Sequence, residues 1–167
     1  MNPDLKSRLE KILSEPIKST SSVSGGCIAD SRKLQLESGK VFFLKQLRGS
    51  NSGAFDAEER GLEELRKSGT VNVPEVVYKG ADFLLLQWIE EGYSRSSSSM
   101  EMLGRKFAEL HRYRGKKFGF SEDNLLGDSP QSNKPSKEGS LNWAVFYTEN
   151  RLEFQTSLAV KNGYATP

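Results

Sequence analysis

Val41-Phe42-Phe43-Leu44-Lys45-Gln46 and, after a short Gly- and Ser-containing connection, Ala54-Phe55-Asp56-Ala57-Glu58-Glu59-Arg60-Gly61-Leu62 decide how this chain is read. The first run is rich in β-branched and aromatic residues and predicts a strand. Side chains alternate between the faces of a strand, which puts Lys45 with Val41 and Phe43. The second run opens a helix predicted over 54–67, with Gly69 placed to end it. Phe55, Leu62 and Leu65 form its apolar stripe. At about 100° per residue, Glu58 falls between Leu62 and Leu65 around the axis, whereas Glu59 and Glu64 fall outside the stripe. A carboxylate in a core-facing stripe needs a cation, because an unpaired buried charge costs several kcal/mol. Lys45, from the strand just before the helix, is the candidate partner. Spacing alone also admits a strand-end lysine that snorkels to water, with Glu58 at the helix margin.

Working outward, Leu5, Leu9 and Ile12 recur at helical spacing behind Pro3 and Asp4 and predict a short amphipathic helix. Residues 19–26 read as a Ser-rich run ending in Gly25-Gly26, with a strand starting at Cys27, Ile28 and Ala29. Leu34 and Leu36 alternate with Lys33 and Gln35, and Glu37-Ser38-Gly39-Lys40 turns the chain into 41–46 as a hairpin. A second hairpin is predicted from 71–78, the turn Lys79-Gly80-Ala81-Asp82, and 83–89. The order is strands, helix, strands: an α+β antiparallel sheet with one helix packed on it. Residues 90–99, acidic and then Ser-rich, read as a hinge. Met100, Leu103, Phe107, Leu110 and His111 mark one face of the next helix. Residues 115–139 form a polar connection long enough to suggest function. A last helix is predicted over 142–162, with Trp143, Phe146 and Phe154 apolar and Gly163 as C-cap. The expected organisation is a lobe at 1–89, a hinge at 90–99, and the start of a helical lobe at 100–167.

Composition narrows the function classes. Hydrophobic residues make up 35% and charged residues 28% of the 167, which is globular rather than disordered. A formal net charge of +2 argues against a nucleic-acid partner or an anionic membrane. Arg112, Arg114, Lys116 and Lys117 cluster, but with no aromatic platform beside them they read as a solvated turn. No apolar stretch reaches membrane-span length, and the first fifteen residues lack secretory or transit character. Cys27 is the sole cysteine, which excludes an intramolecular disulfide framework or a zinc site and fits a reducing, cytoplasmic setting.

Four features then fall in one order: the Gly25-Gly26 pair, the Lys45 strand, the Glu58 helix, and a strand ending at the acidic Glu90-Glu91. A Gly pair alone usually marks a turn. The full order is that of protein-kinase-like folds, where a strand lysine anchored by a helix glutamate touches the nucleotide phosphates and the hinge offers backbone groups to adenine.

Longer stretches resemble the fructosamine (ketosamine) kinase family. They are Gly25-Gly26-Cys27-Ile28, Val41 to Lys45, Phe55-Asp56-Ala57-Glu58, Val73-Pro74, and Leu103-Gly104 through Leu110-His111-Arg112. To these add Phe118-Gly119-Phe120 through Gly127-Asp128-Ser129-Pro130-Gln131-Ser132-Asn133, and Asn142-Trp143 with Phe146-Tyr147, Arg151-Leu152 and Gln155. The Phe118 to Asn133 block is far more specific than any Gly loop. The resemblance implies an aminoglycoside-phosphotransferase-like kinase that transfers the γ-phosphate of ATP, with Mg²⁺, to a hydroxyl of a ketosamine, a small molecule or a glycated protein, and so promotes deglycation. By position, Lys45 would hold the α- and β-phosphates, Glu58 would orient it, and Gly25, Gly26, Cys27 and Ile28 would cover them. The backbone of Gln87 and Ile89, flanking Trp88, would bind adenine, with Leu86 lining the pocket before them. Cys27 would be an exposed loop thiol able to join a second chain by disulfide. His111 reads as structural, and Glu90-Glu91 as a solvated linker.

The His-Gly-Asp catalytic loop and the metal-binding Asn and Asp of the family do not occur among these residues. The catalytic base is therefore expected beyond Pro167, no catalytic or metal-binding residue is assigned here, and the chain alone is expected to be inactive. Helices after Met100 would then expose apolar faces and favour a homodimer. Competing readings are a non-catalytic nucleotide-binding or dimerising module, and another small-molecule kinase of the same fold, of aminoglycoside, choline or homoserine type.

Overall fold

A computed structural model describes residues 1–24, 29–47, 53–90, 92, 96–127, 129–164 and 166. The described chain divides into two compact units, Met1–Leu110 and His111–Pro167. The division therefore falls at Leu110, beyond the 90–99 hinge expected from composition.

In the first unit, α1 (Pro3–Leu13) is followed by β1 (Ile17–Ser22), β2 (Ala29–Leu36) and β3 (Val41–Leu47). Helix α2 (Ala54–Lys67), β4 (Val76–Lys79), β5 (Phe83–Gln87) and α3 (Ser97–Arg112) complete it. The five strands make one antiparallel sheet in the order β1-β2-β3-β5-β4. Alternation along the strands sorts the apolar residues onto two faces. Leu34, Leu36, Leu44, Phe83 and Leu85 pack on one side with Leu5 and Leu9 of α1. Leu84 and Leu86 pack on the other with Phe55 of α2, flanked by Phe43, Leu47, Leu62 and Val76. The sheet thus carries a helix on each face rather than one helix in all. Arg8 fixes α1 from outside, donating from both terminal nitrogens to the Asp82 carboxylate at 2.8 and 2.9 Å and lying 5.1 Å over the Phe83 ring.

Three elements depart from the expected boundaries. Strand β1 takes in the first half of the run read as a Ser-rich connection: only Ile17 is buried, and Lys18 to Ser22 are exposed along the sheet edge. Polar residues suit an edge strand, whose outer backbone groups have no neighbour, and they hide the strand from a hydrophobic pattern. Strand β4 begins at Val76 rather than 71, after Pro74, which has no N–H for a ladder. Helix α3 begins inside the Ser-rich hinge because Ser96 caps it: its Oγ accepts from the Ser99 N–H at 3.1 Å.

In the second unit a small hairpin, β6 (Asn124–Leu126) and β7 (Ser129–Gln131), lies within the segment read as unstructured. The predicted last helix is present but divided. Helix α4 (Trp143–Tyr147) starts with Asn142 Oδ1 accepting from the Ala144 N–H, passes through a π-turn at Thr148–Glu153, and continues as α5 (Phe154–Lys161). Gly163, at φ +76°, ends it. Among the described residues, no helix is long and apolar enough to cross a membrane.

Candidate functional site

Strand β3 and helix α2 bring the two decisive residues together. Lys45 pairs across the sheet with Ser31 and Leu84, so its side chain leaves the face on which α2 packs. Its Nζ donates to Glu58 Oε1 at 2.5 Å, and each side chain keeps 29% of its surface exposed. The pair is therefore half-buried: shielded enough to hold geometry, open enough to meet a ligand. Leu62 is partly buried beside it, but Leu65 is 44% exposed, so the apolar stripe of α2 is narrower than its sequence suggests.

A second cation anchors the same helix, and the sequence reading missed it. Lys79 Nζ donates to Asp56 Oδ1 and Glu59 Oε2, both at 2.5 Å. These hydrogen bonds hold the Asp56 carboxyl below its ordinary range and raise the Lys79 ammonium above its own. Lys79 looked like a turn residue and Glu59 like a solvated one; the signal was that Asp56 and Glu59, three apart, share a helix edge. With β3 holding Glu58 and β4 holding Asp56 and Glu59, the first two turns of α2 are fixed against rotation on the sheet.

The strand leading to the hinge presents its residues differently. Leu86 is buried between Phe55 and Leu84. Gln87 is exposed, and its N–H donates to the Glu75 carbonyl at 2.8 Å. Trp88 sits 6.2 Å from Phe43, ring to ring, and Lys33 Nζ lies 4.4 Å over its indole. Glu90, read as solvated linker, pairs with Lys33 at 3.8 Å. Ile89 is half exposed. Gly25, Gly26, Cys27 and Ile28, together with Glu91, lie outside the described residues.

In the second unit the Phe118 to Asn133 block gathers around buried amides. Asn133 donates from Nδ2 to the Glu122 carbonyl and Asn124 Oδ1, while its Oδ1 accepts from Arg151 Nη2 at 2.8 Å. Arg151 Nη1 also donates to the Ser132 carbonyl. Asn150 donates to Ser132 Oγ and the Lys134 carbonyl. Asp123 accepts from the Asn133 and Lys134 N–H groups, and those bonds lower its carboxyl from the ordinary range. Gly119 is obligatory: at φ +88°, a Cβ there would stand 2.6 Å from the Asn133 carbonyl oxygen. None of these groups is arranged to attack a substrate; they hold a loop against a helix. His111 is exposed near the end of α3.

The sequence model of the fructosamine kinase family matches residues 1–167. The chain belongs to the fructosamine kinase family. It is 36% identical over 145 residues to the protein-ribulosamine 3-kinase, chloroplastic, of Arabidopsis thaliana, a match covering 83% of this chain and 42% of that protein. The corresponding enzyme of Oryza sativa subsp. indica is 34% identical over 150 residues, covering 85% and 42%. The chain spans less than half the length of these relatives. Among solved structures, a Thermobifida fusca protein provisionally assigned as a fructosamine-3-kinase superposes with a TM-score of 0.83 at 24% identity, covering 100% of this chain and 57% of that one. A Haemophilus somnus protein of the same provisional assignment gives 0.77 at 26%, covering 95% and 54%. Together these establish the kinase fold and its ketosamine-kinase kinship.

Proposed function

We propose that this chain carries the nucleotide-gripping part of an ATP-dependent kinase acting on ketosamines, in the polypeptide that includes it. The single observation that carries the reading is the half-buried Lys45–Glu58 pair on the sheet face. Glu58 holds the ammonium at a fixed point, and a fixed ammonium at an open face suits the α- and β-phosphates of a nucleotide. Adenine would lie against the hinge strand, taking the carbonyl of Gln87, whose N–H is already engaged by Glu75, and the N–H of Ile89. Leu86 would back the pocket, Trp88 would flank the ring, and Gly25 to Ile28 would cover the phosphates. The substrate class comes from the relatives' names: ribulosamine 3-kinases phosphorylate an amine-linked ketose, so a glycated amine or protein is the proposed acceptor.

Kinase chemistry of this kind uses Mg²⁺ to neutralise charge on the phosphates. Among the described residues no three His, Cys, Asp or Glu side chains converge as a metal site, so no step here is assigned to the metal. No His-Gly-Asp sequence occurs in the 167 residues. Turnover is therefore proposed for the longer polypeptide, and binding for this segment. The proposed compartment is the cytoplasm, on the strength of a lone cysteine, although the plant relatives are named chloroplastic.

Two assays test the reading. Isothermal titration should detect ATP binding by the chain, and a polypeptide extended to the length of its relatives should phosphorylate a ribulosamine in an ATP-dependent way. Absence of ATP binding by both would overturn it. A second reading, association, rests on α3, where Met100, Leu103 and Phe107 are each 55% exposed. Sedimentation should then give a dimer at micromolar concentration under reducing conditions. Dimer only under oxidation would instead point to Cys27.

A further inference from the structure

The hinge tryptophan is not a bare surface. Trp88 lines a cleft of 430 Å³, within the range of small-ligand clefts, together with Ser21, Val23, Lys33 and Glu90. Register fixes which way this cleft faces: Lys33 pairs with Phe43 and Ser31 with Lys45, so Lys33 and Lys45 leave the same face of the sheet. Lys33 places its ammonium 4.4 Å over the indole, and Glu90, 3.8 Å away, tethers it there. Trp88 Nε1 is buried and has no hydrogen-bond partner among the described residues. The lining thus combines a flat π surface with one donor, the ammonium, and one carboxylate. A planar heterocycle with ring-nitrogen acceptors meets that set; a bare polyphosphate, which repels Glu90 and does not stack, does not.

We infer that Lys33 is a base-positioning residue, dividing the nucleotide with Lys45: Lys33 and Trp88 hold the purine while Lys45 holds the phosphates. This rests on the nucleotide reading above and adds to it a residue and a separation of roles. Lys33, still paired with Glu90, would shift from the indole face to the edge of the entering base, so that base stacking replaces the cation–π contact and the ammonium donates to a ring nitrogen.

The test uses the full chain with Trp143→Phe, which leaves Trp88 as the sole tryptophan. Indole emission is followed during titration with adenosine, with inorganic tripolyphosphate and with ATP. Adenosine and ATP should quench Trp88, and tripolyphosphate should leave it unmoved. Lys33→Met should weaken adenosine about tenfold, the size of one stacking or cation–π contact, and leave tripolyphosphate unchanged when read by calorimetry. Lys45→Met should do the reverse. Glu90→Gln, at a side chain 72% exposed and so harmless to the fold, should weaken adenosine about threefold by releasing the tether. It decides the matter if the circular dichroism of Lys33→Met reports unfolding. Unchanged adenosine affinity in the Lys33 and Glu90 variants, or emission unmoved at saturating ATP, overturns the inference while leaving nucleotide binding intact. A chain that binds neither ATP nor tripolyphosphate overturns the nucleotide reading instead, and the inference with it.

Discussion

Polar side chains are used in opposite ways in the two units. In the first, Lys45 and Glu58 satisfy each other yet stay partly open, and Lys33 and Glu90 do the same at the hinge. In the second, Asn133 at 7% exposure and Asn150 at 4% turn their donors inward to neighbouring carbonyls and side chains. Open charge on a rigid sheet can respond to a ligand; amides enclosed by their own loop cannot. The Phe118 to Asn133 block, part of the resemblance to the family, is thus a structural clamp, whereas the nucleotide grip proposed above rests on a Lys–Glu pairing that many kinase folds share.

If that contrast holds, Lys45→Met in the polypeptide extended to its relatives' length should lower kcat/KM by about a hundredfold or more, the usual effect of removing a fixed charge from a transition state. Its urea midpoint should stay close to that of the parent. Comparable losses of activity and stability would erase the distinction between the units. Asn133→Ala should do the opposite. It strands Arg151 Nη2 and Asn124 Oδ1, at about 2–3 kcal/mol in chemical unfolding of the second unit, with ATP affinity unchanged by calorimetry. Gly119→Ala should cost about 1–3 kcal/mol by the same measurement, through the strained φ and the clash with the Asn133 carbonyl.

The smallest effect is expected with pH. The folded Asp123 carboxyl is held low by the Asn133 and Lys134 N–H groups, so its stabilisation is fully present above its unfolded value, near 3.9. That stabilisation disappears as pH falls through the lowered folded value. Comparing thermal melts of the parent and Asp123→Asn between about pH 5 and pH 2 should show the parent's advantage shrinking on acidification. An advantage that is constant with pH would break the assignment.

Legibility followed burial. Strands β3 and β5 and helix α2 could be read because their apolar residues must alternate or recur to cover a core, and the same rule exposed Glu58 as a charge in need of Lys45. Strand β1 was hidden because an edge strand with only Ile17 buried carries no such pattern. Strands β6 and β7, three residues each, are too short to show a period, and Ser96 looked like linker until it was seen to cap α3. The Lys79 anchor was missed because pairing between distant, half-exposed charges leaves no mark on hydrophobic spacing. The Lys33–Trp88 contact depends on how far the chain turns after β5, which no local pattern encodes.

The π-turn at Thr148–Glu153 bears on how this stretch tolerates change. A wider turn of this type amounts to one surplus residue accommodated within a helix. Removing a single residue there would let the segment close into one regular helix, with α5 kept close to its present phase. Asn150 and Arg151, which stand on the widened turn itself, would lose their bearing on Ser132 and Lys134, so a change of length at this point in a relative is felt at the turn rather than beyond it.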